Sequence, residues 1–168
     1  MSVRDILLLG NHRLYDVCDP FRPDETHKLA DLVTDLHDTM MAFRDEHGRG
    51  RAIAAPQIGV MKRIVYMHVD KPVVFLNPML DRMSDDTFEL WDDCMSFPEL
   101  FVRVRRHSSC QLTYRDENWK EQERQLEGDL SELLQHEVDH LDGILAVQRA
   151  IDQRSFALAR HVAAEEGS

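Results

Sequence analysis

The sequence predicts an α+β fold, with strands laid down through the middle of the chain and a late helix packed against them. Three observations carry this reading. An amphipathic helical pattern lies near the start, a series of strand-like segments fills the centre, and a second helix with histidines at i and i+4 follows. At 168 residues the chain is read as one domain spanning 1–168, long enough to bury a core.

Taken in order, the stretch 23–48 places Leu29, Leu32, Val33, Leu36, Met40 and Phe43 at helical spacing and ends at Gly48, a natural stop. His37 and His47 within it are read as surface histidines. A loop, GRGRAIAAPQIGV, follows at 48–60. RIVYMHV (63–69) and VVFLNPML (73–80) read as strands turned by DKP, and TFEL, FVRV and SSCQLTYR continue the pattern. In the last of these, alternation points Cys110, Leu112 and Tyr114 to one face, inward. DEN at 116–118 is a hairpin turn into WKEQERQL. The second helix opens near Asp129, where Asp129 and Glu132 fit a variant capping box, and stops near Gly143. DQRSFALARHVAAEE closes the chain as a charged, Ala-rich helix.

Composition narrows the function. A formal charge of -11 argues against direct nucleic-acid binding, which needs clustered Lys and Arg, and RVRR at 103–106 is too short to reverse that. The longest apolar run near the start, ILLL at 6–9, is too short for a signal peptide or a membrane span. The expectation is a bacterial cytoplasmic protein, or an organellar one had a transit peptide been removed. Cys18, Cys94 and Cys110 do not read as a disulfide framework. Cys18 and Cys110 are read as buried packing.

The chemistry begins at QHEVDH, 135–140. Spacing of i and i+4 puts His136 and His140 on one helical face, where both rings reach one metal ion. Glu137 stands beside them as a base for a water activated by that ion. A third ligand is needed. The zinc-protease pattern would place a histidine at Ala146, which cannot bind metal. His161, Glu165 and Glu166 lie further on, in the charged terminal segment. Cys94, in WDDCMSFPEL where a strand breaks, is the stronger candidate, because a thiolate with two imidazoles leaves a fourth position open for catalysis.

GRAIAAPQ (50–57), DDCMS (92–96) and QHEVDH (135–140) occur in the order and approximate spacing of the three signature motifs of peptide deformylases, and the chain resembles that family over about residues 4–152. The resemblance implies a peptide-deformylase-like fold, with antiparallel or mixed sheets packed around a central metal-binding helix. It implies a metallohydrolase that removes the N-formyl group from formyl-methionyl peptides of nascent proteins and releases formate. Cys94, His136 and His140 would bind one divalent metal ion, usually Fe2+ in this family, with Zn2+, Ni2+ and Co2+ also compatible with those donors. Glu137 would move the proton, and the Gln57 side-chain amide and Met95 backbone N–H would donate to the oxyanion. Gly50, Arg51 and Ile53 would meet the peptide along an added strand, and Leu133 would wall the methionine pocket. The partners implied are an N-formylated peptide and, beyond it, ribosome-associated nascent chains.

The chain departs from the family pattern at three places. Ala52 stands where a second glycine is usual, so its Cβ is expected to narrow the backbone approach or require a different turn. Arg51 stands where the usual residue is apolar, as a solvated charge or a partner for a substrate carboxylate. Asp92-Asp93 replaces Glu-Gly before the cysteine, leaving Asp92 able to pair with Arg106 and adding an acid at Asp93. Two other readings stay open: a related amidase acting on free formyl-amino acids or another small formylated compound, and a catalytically weakened, metal-stabilised binding domain.

Overall fold

The computed structural model describes residues 3–166, and within it the strand-like runs pair antiparallel into two sheets. In chain order the strands are β1 (Ala52–Ala54), β2 (Ile64–His68), β3 (Pro72–Asp81), β4 (Thr87–Asp92), β5 (Leu100–His107), β6 (Ser109–Arg115), β7 (Glu121–Glu127) and β8 (Phe156–Leu158). One sheet runs β1-β2-β3-β6-β7 and the other β4-β5-β8. The helices are α1 (Leu29–His47), α2 (Gly128–Leu141) and α3 (Ala159–Glu166).

Side-chain alternation decides how these layers stack. Ala52, Ala54, Val65, Met67 and Phe75 join Cys110, Leu112 and Leu126 against Leu133, Leu134 and Leu141 of α2. The intervening residues Ile53, Ile64, Tyr66, Val74 and Leu76 pack on Leu36, Met40 and Phe43 of α1. The first strands of the larger sheet are therefore covered on both faces, which is why they read as unbroken apolar runs. Behind α2, the smaller sheet adds Val102 and Val104 to a third cluster with Cys94, Phe97 and Ala146. Each buried leucine of α2 contributes roughly 1.5–3 kcal/mol, and together they hold the helix between the sheets.

Several local expectations are corrected. Within the loop 48–60, β1 pairs with β2, Ala52 opposite Met67 and Ala54 opposite Val65, and a 3-10 turn follows at Ala55–Ile58. The terminal segment is not helical from its start: β8 pairs with β5 before α3 begins. No capping box forms at Asp129, since Glu127 occupies the N-cap with no side-chain bond and Glu132 is engaged elsewhere. His37 and His47 are half-buried rather than freely solvated: His37 Nδ1 lies 2.7 Å from the Tyr66 hydroxyl, and His47 packs on Phe43. The α1 stop holds, with Gly48 at φ 69 and its N–H donating to the Arg44 carbonyl. Cys18 and Cys110 are buried, as are Leu112 and Tyr114 beside Cys110.

The chain from Tyr15 to Cys18 closes over the end of α2. Cys18 N–H donates to the Leu141 carbonyl at 2.9 Å, and Gly143, at φ 72, lies so close that a Cβ there would meet the Tyr15 carbonyl oxygen at 2.3 Å.

Candidate metal centre

Residues 131–141 of α2 are buried without a break, and seven of them carry polar or charged side chains, Ser131, Glu132, Gln135, His136, Glu137, Asp139 and His140. Burial on that scale is tolerable only where each group finds a partner. Gln135 clamps β5, accepting from the His107 N–H at 3.0 Å and donating to its carbonyl at 2.9 Å. The histidines converge instead on a sulfur. β4 ends at Asp92, and the turn after it aims Cys94 at the helix. Cys94 Sγ lies 3.3 Å from His140 Nε2, which lies 3.2 Å from His136 Nε2, and all three ligand atoms fall within 4.8 Å of one another.

This geometry fits a metal ion. Arms of about 2.0–2.3 Å to nitrogen and sulfur subtend tetrahedral edges of roughly 3.3–3.7 Å, near the separations seen. The electrostatics agree. Asp92 Oδ2 sits 2.9 Å from His136 Nδ1, orienting the ring with Nε2 toward the shared point. Burial works against charge on His136, yet Asp92 outweighs it and raises the ring's pKa well above the usual imidazole value. His140 is pushed well below, by burial and by its neighbour His136. Burial also pushes Asp92 up, but His136 and Arg106 prevail and hold its carboxyl at about 2. A fixed negative charge behind one ring favours a cation in front of it.

Asp92 is itself held. Arg106 Nη2 donates to it at 3.1 Å, Arg106 Nη1 donates to Asp139 at 2.7 Å, and Arg149 grips Asp139 through two bonds of 2.8 Å. The Asp92–Arg106 pair was expected from sequence, whereas Asp139 and Arg149 were not singled out.

A cavity of about 280 Å³ opens beside the triad, and Glu137, Gln57, Met95, Leu133, Gly50 and Arg51 all line it. Glu137 is buried, its Oε2 without a hydrogen-bond partner, and burial raises its pKa to about 7, with His136 pulling it down and Asp92 pushing it up. Gln57 is fixed in orientation: its Oε1 accepts from the Ala54 N–H at 2.9 Å, so Nε2 faces Ser96 Oγ at 3.2 Å and Cys94 Sγ at 3.4 Å. Ser96, also missed, stood inside the DDCMS motif. Met95 packs its side chain near Gly50, where φ is 129 and a Cβ would approach Met95 Cε at 3.0 Å. Ile53 turns its side chain away into the α1 cluster, leaving its backbone on β1, the edge strand of its sheet. His161 is exposed on α3, outside the triad, and the side chains of Glu165 and Glu166 lie outside the described residues. A larger cleft of about 410 Å³ lies across α2, reaching Arg63, Met79 and Arg105, but none of the three ligand residues lines it.

The motif departures also resolve. Ala52 sits in a regular strand with its side chain in the core, so no altered turn is needed. Asp93 pairs with Arg49 at 3.0 Å. Arg51, half-exposed and lining the cavity, donates from Nη2 to Glu132 Oε1 at 2.5 Å.

A family model, polypeptide deformylase, matches residues 3–156, which takes in the larger sheet, β4 and β5 of the smaller one, the triad and the cavity. The chain belongs to the polypeptide deformylase family. The deformylase of Pelagibacter ubique is 36% identical over 155 residues, covering 88% of this chain and 86% of that protein. Among solved structures, the Thermotoga maritima peptide deformylase superposes with a TM-score of 0.82 at 28% identity, over 90% of this chain and 99% of its own. A class I type b deformylase from Acinetobacter baumannii with Met-Ala-Ser bound gives 0.82 at 28% identity, over 89% and 99%. Deformylase family membership accounts for a metal-dependent hydrolase built on antiparallel sheets around α2.

Proposed function

We propose that this deformylase removes the formyl group from N-formylated peptides of nascent proteins, releasing formate, at one divalent ion held by Cys94, His136 and His140. The observation that carries this reading is the placing of a buried, unpartnered carboxylate oxygen, Glu137 Oε2, in the same cavity as the Cys–His–His triad. Bound there, a divalent ion supplies Lewis acidity to water and to the formyl oxygen. Iron(II) is the ion proposed; Zn2+, Ni2+ and Co2+ suit the same donors.

The chain's own groups do the rest. Glu137 takes the proton from the attacking water and passes it to the departing amine, a double role suited to a carboxyl poised near neutrality. Gln57 Nε2, locked by the Ala54 N–H, donates to the oxyanion together with the Met95 backbone N–H. The peptide adds along the outer edge of β1, passing Gly50, Arg51 and Ile53, with Leu133 walling the first side chain. The working unit is one domain, acting in the bacterial cytoplasm on chains emerging from the ribosome. No described helix is long and apolar enough to cross a membrane.

Glu137→Ala tests the reading. It is expected to retain the fold and the bound metal while formate release from formyl-Met-Ala-Ser falls about 10²–10⁴-fold. Wild-type turnover no faster than the variant's, with metal bound, would leave only a metal-stabilised binding domain.

A further inference from the structure

The path by which a peptide would leave the metal centre is lined by cations. The Arg51 carbonyl accepts from the His68 N–H at 2.9 Å, so the alternation of an antiparallel pair turns the Ala52 N–H and carbonyl to the free edge of β1. β1 runs toward Gln57 and the triad, while a substrate with its formyl group at the triad runs away from it, so the two lie antiparallel. With the first residue opposite Ala52, the third lies opposite Gly50. There a second cavity, of about 240 Å³, continues from the first, since Gly48, Arg49, Gly50 and Arg51 line both. Arg44 and His68 complete its polar wall, and among the described residues that line it none is acidic. In a chain of formal charge -11 this is a local reversal of sign.

Each guanidinium is held in place and still has N–H groups to offer. Arg44 donates from Nε to the Gly50 carbonyl at 2.8 Å and from Nη2 to the His68 carbonyl at 2.6 Å. Arg49 donates to the Pro98 carbonyl, lies 3.0 Å from Asp93 and stands over the Phe101 ring at 5.2 Å. Arg51 binds Glu132 through Nη2. These bonds use Nη1 of none of the three. The Arg51 and Arg49 side chains are 42% and 29% exposed, open to whatever occupies the cavity. Their acids lie outside it: Asp93 lines the metal-centre cavity alone, and Glu132 is buried in α2. Two acids therefore balance three guanidiniums, and both bonds of Arg44 go to carbonyls.

Resting on the deformylase reading, we propose that Arg44, Arg49 and Arg51 form a carboxylate-binding subsite for the third residue of a formyl-methionyl substrate, so that peptides carrying a negative charge there are favoured. That charge is an acidic side chain or the free chain end of a formylated tripeptide. Both present the planar acceptor that a guanidinium fork matches. The contact is remote from the formyl carbon and is the same before and during the reaction, so it lowers KM and leaves kcat in place.

The test uses the metal-loaded full chain and two matched pairs of peptides. Formyl-Met-Ala-Glu-amide against formyl-Met-Ala-Gln-amide probes the side chain, and formyl-Met-Ala-Ser against its amide probes the chain end. A charged member is expected to win by about fivefold or more in kcat/KM, through KM, with an advantage that shrinks as salt is raised. Arg44→Met and Arg51→Gln should each bring the charged-to-neutral ratio toward one, a comparison made within a single variant and independent of its overall rate. Calorimetric binding of the products Met-Ala-Glu-amide and Met-Ala-Gln-amide to wild type repeats the comparison without turnover, should the variants misfold. A gain with glutamate supports the subsite as one for acidic side chains, and a gain with the free chain end alone supports it as one for short formylated peptides. No gain in either pair overturns the subsite and leaves the deformylase reading intact. No formate from any of the four peptides overturns both.

Discussion

Arg106 touches no ligand of the metal centre except through Asp92, yet two buried carboxylates depend on it. Its Nη groups bind Asp92 and Asp139 at 3.1 and 2.7 Å with every partner buried. Replacing it by methionine preserves much of the volume but leaves those acids facing each other with less positive charge between them. Losing one partner of a buried pair commonly costs about 3–5 kcal/mol, and Arg106→Met is expected to lower the urea midpoint accordingly. Metal affinity should fall about 10–100-fold, because Asp92 loses the group that fixes it against His136. An unchanged midpoint with unchanged metal content would contradict this account. At this scale the ligands were legible because their chemistry restricts residue type and spacing: only a helix puts His136 and His140 on one ion, and only a few side chains can complete the set. Partner choice among ordinary charges was not. Arg51 and Glu132 are far apart in sequence, and neither spacing nor propensity says which acid an arginine will find.

Among the elements, the end of α2 is the most sharply constrained. Gly143 has φ 72, and a methyl there would stand 2.3 Å from the Tyr15 carbonyl oxygen and 2.6 Å from its carbon, contacts that only a backbone shift relieves. Gly143→Ala therefore combines left-handed strain, about 1–3 kcal/mol, with the displacement of the segment that bonds Leu141 through Cys18. A fall in Tm of roughly 5 °C or more is expected by calorimetry, and a Tm within a degree of wild type would show that the segment yields freely. The long elements could be read from apolar period, since α1, β2 and β3 each bury a face or two against neighbours. β1 and β8 could not. Each has only three residues, and each is a strand because a distant partner, β2 or β5, supplies the ladder. Local sequence in both places, Gly- and Pro-rich in one and Ala-rich in the other, favours something else.

For the whole molecule, metal binding and folding are coupled, because Cys94 comes from a turn after the smaller sheet's first strand and the histidines from the helix between both sheets. With metal free at about 100 times its Kd, binding adds about 2.7 kcal/mol. Stripping the ion with a chelator should lower Tm by roughly 5–10 °C, and an unchanged Tm would argue that the triad holds none. A second global property is alkaline sensitivity. Burial raises the Cys18 thiol from 9.0 to about 11, Arg63 opposing and Asp142 assisting. Above the unfolded value the unfolded chain releases this proton while the folded one keeps it, so stability is full below about pH 9 and falls as pH climbs toward about 11, by at most ~1.4 kcal/mol per pH unit. Cys18→Ala should flatten that decline when urea midpoints near pH 8 and near pH 10.5 are compared; an equally steep decline would exclude Cys18 as its source.

The seating of Tyr15 and Cys18 on the far end of α2 also bears on how the enzyme is born. Tyr15 and Cys18 seat on backbone at the end of α2, a contact of high sequence separation, so it cannot form until that helix has been made. The far end of the helix that carries the metal ligands is therefore sealed by a contact that no partial chain lacking α2 can make.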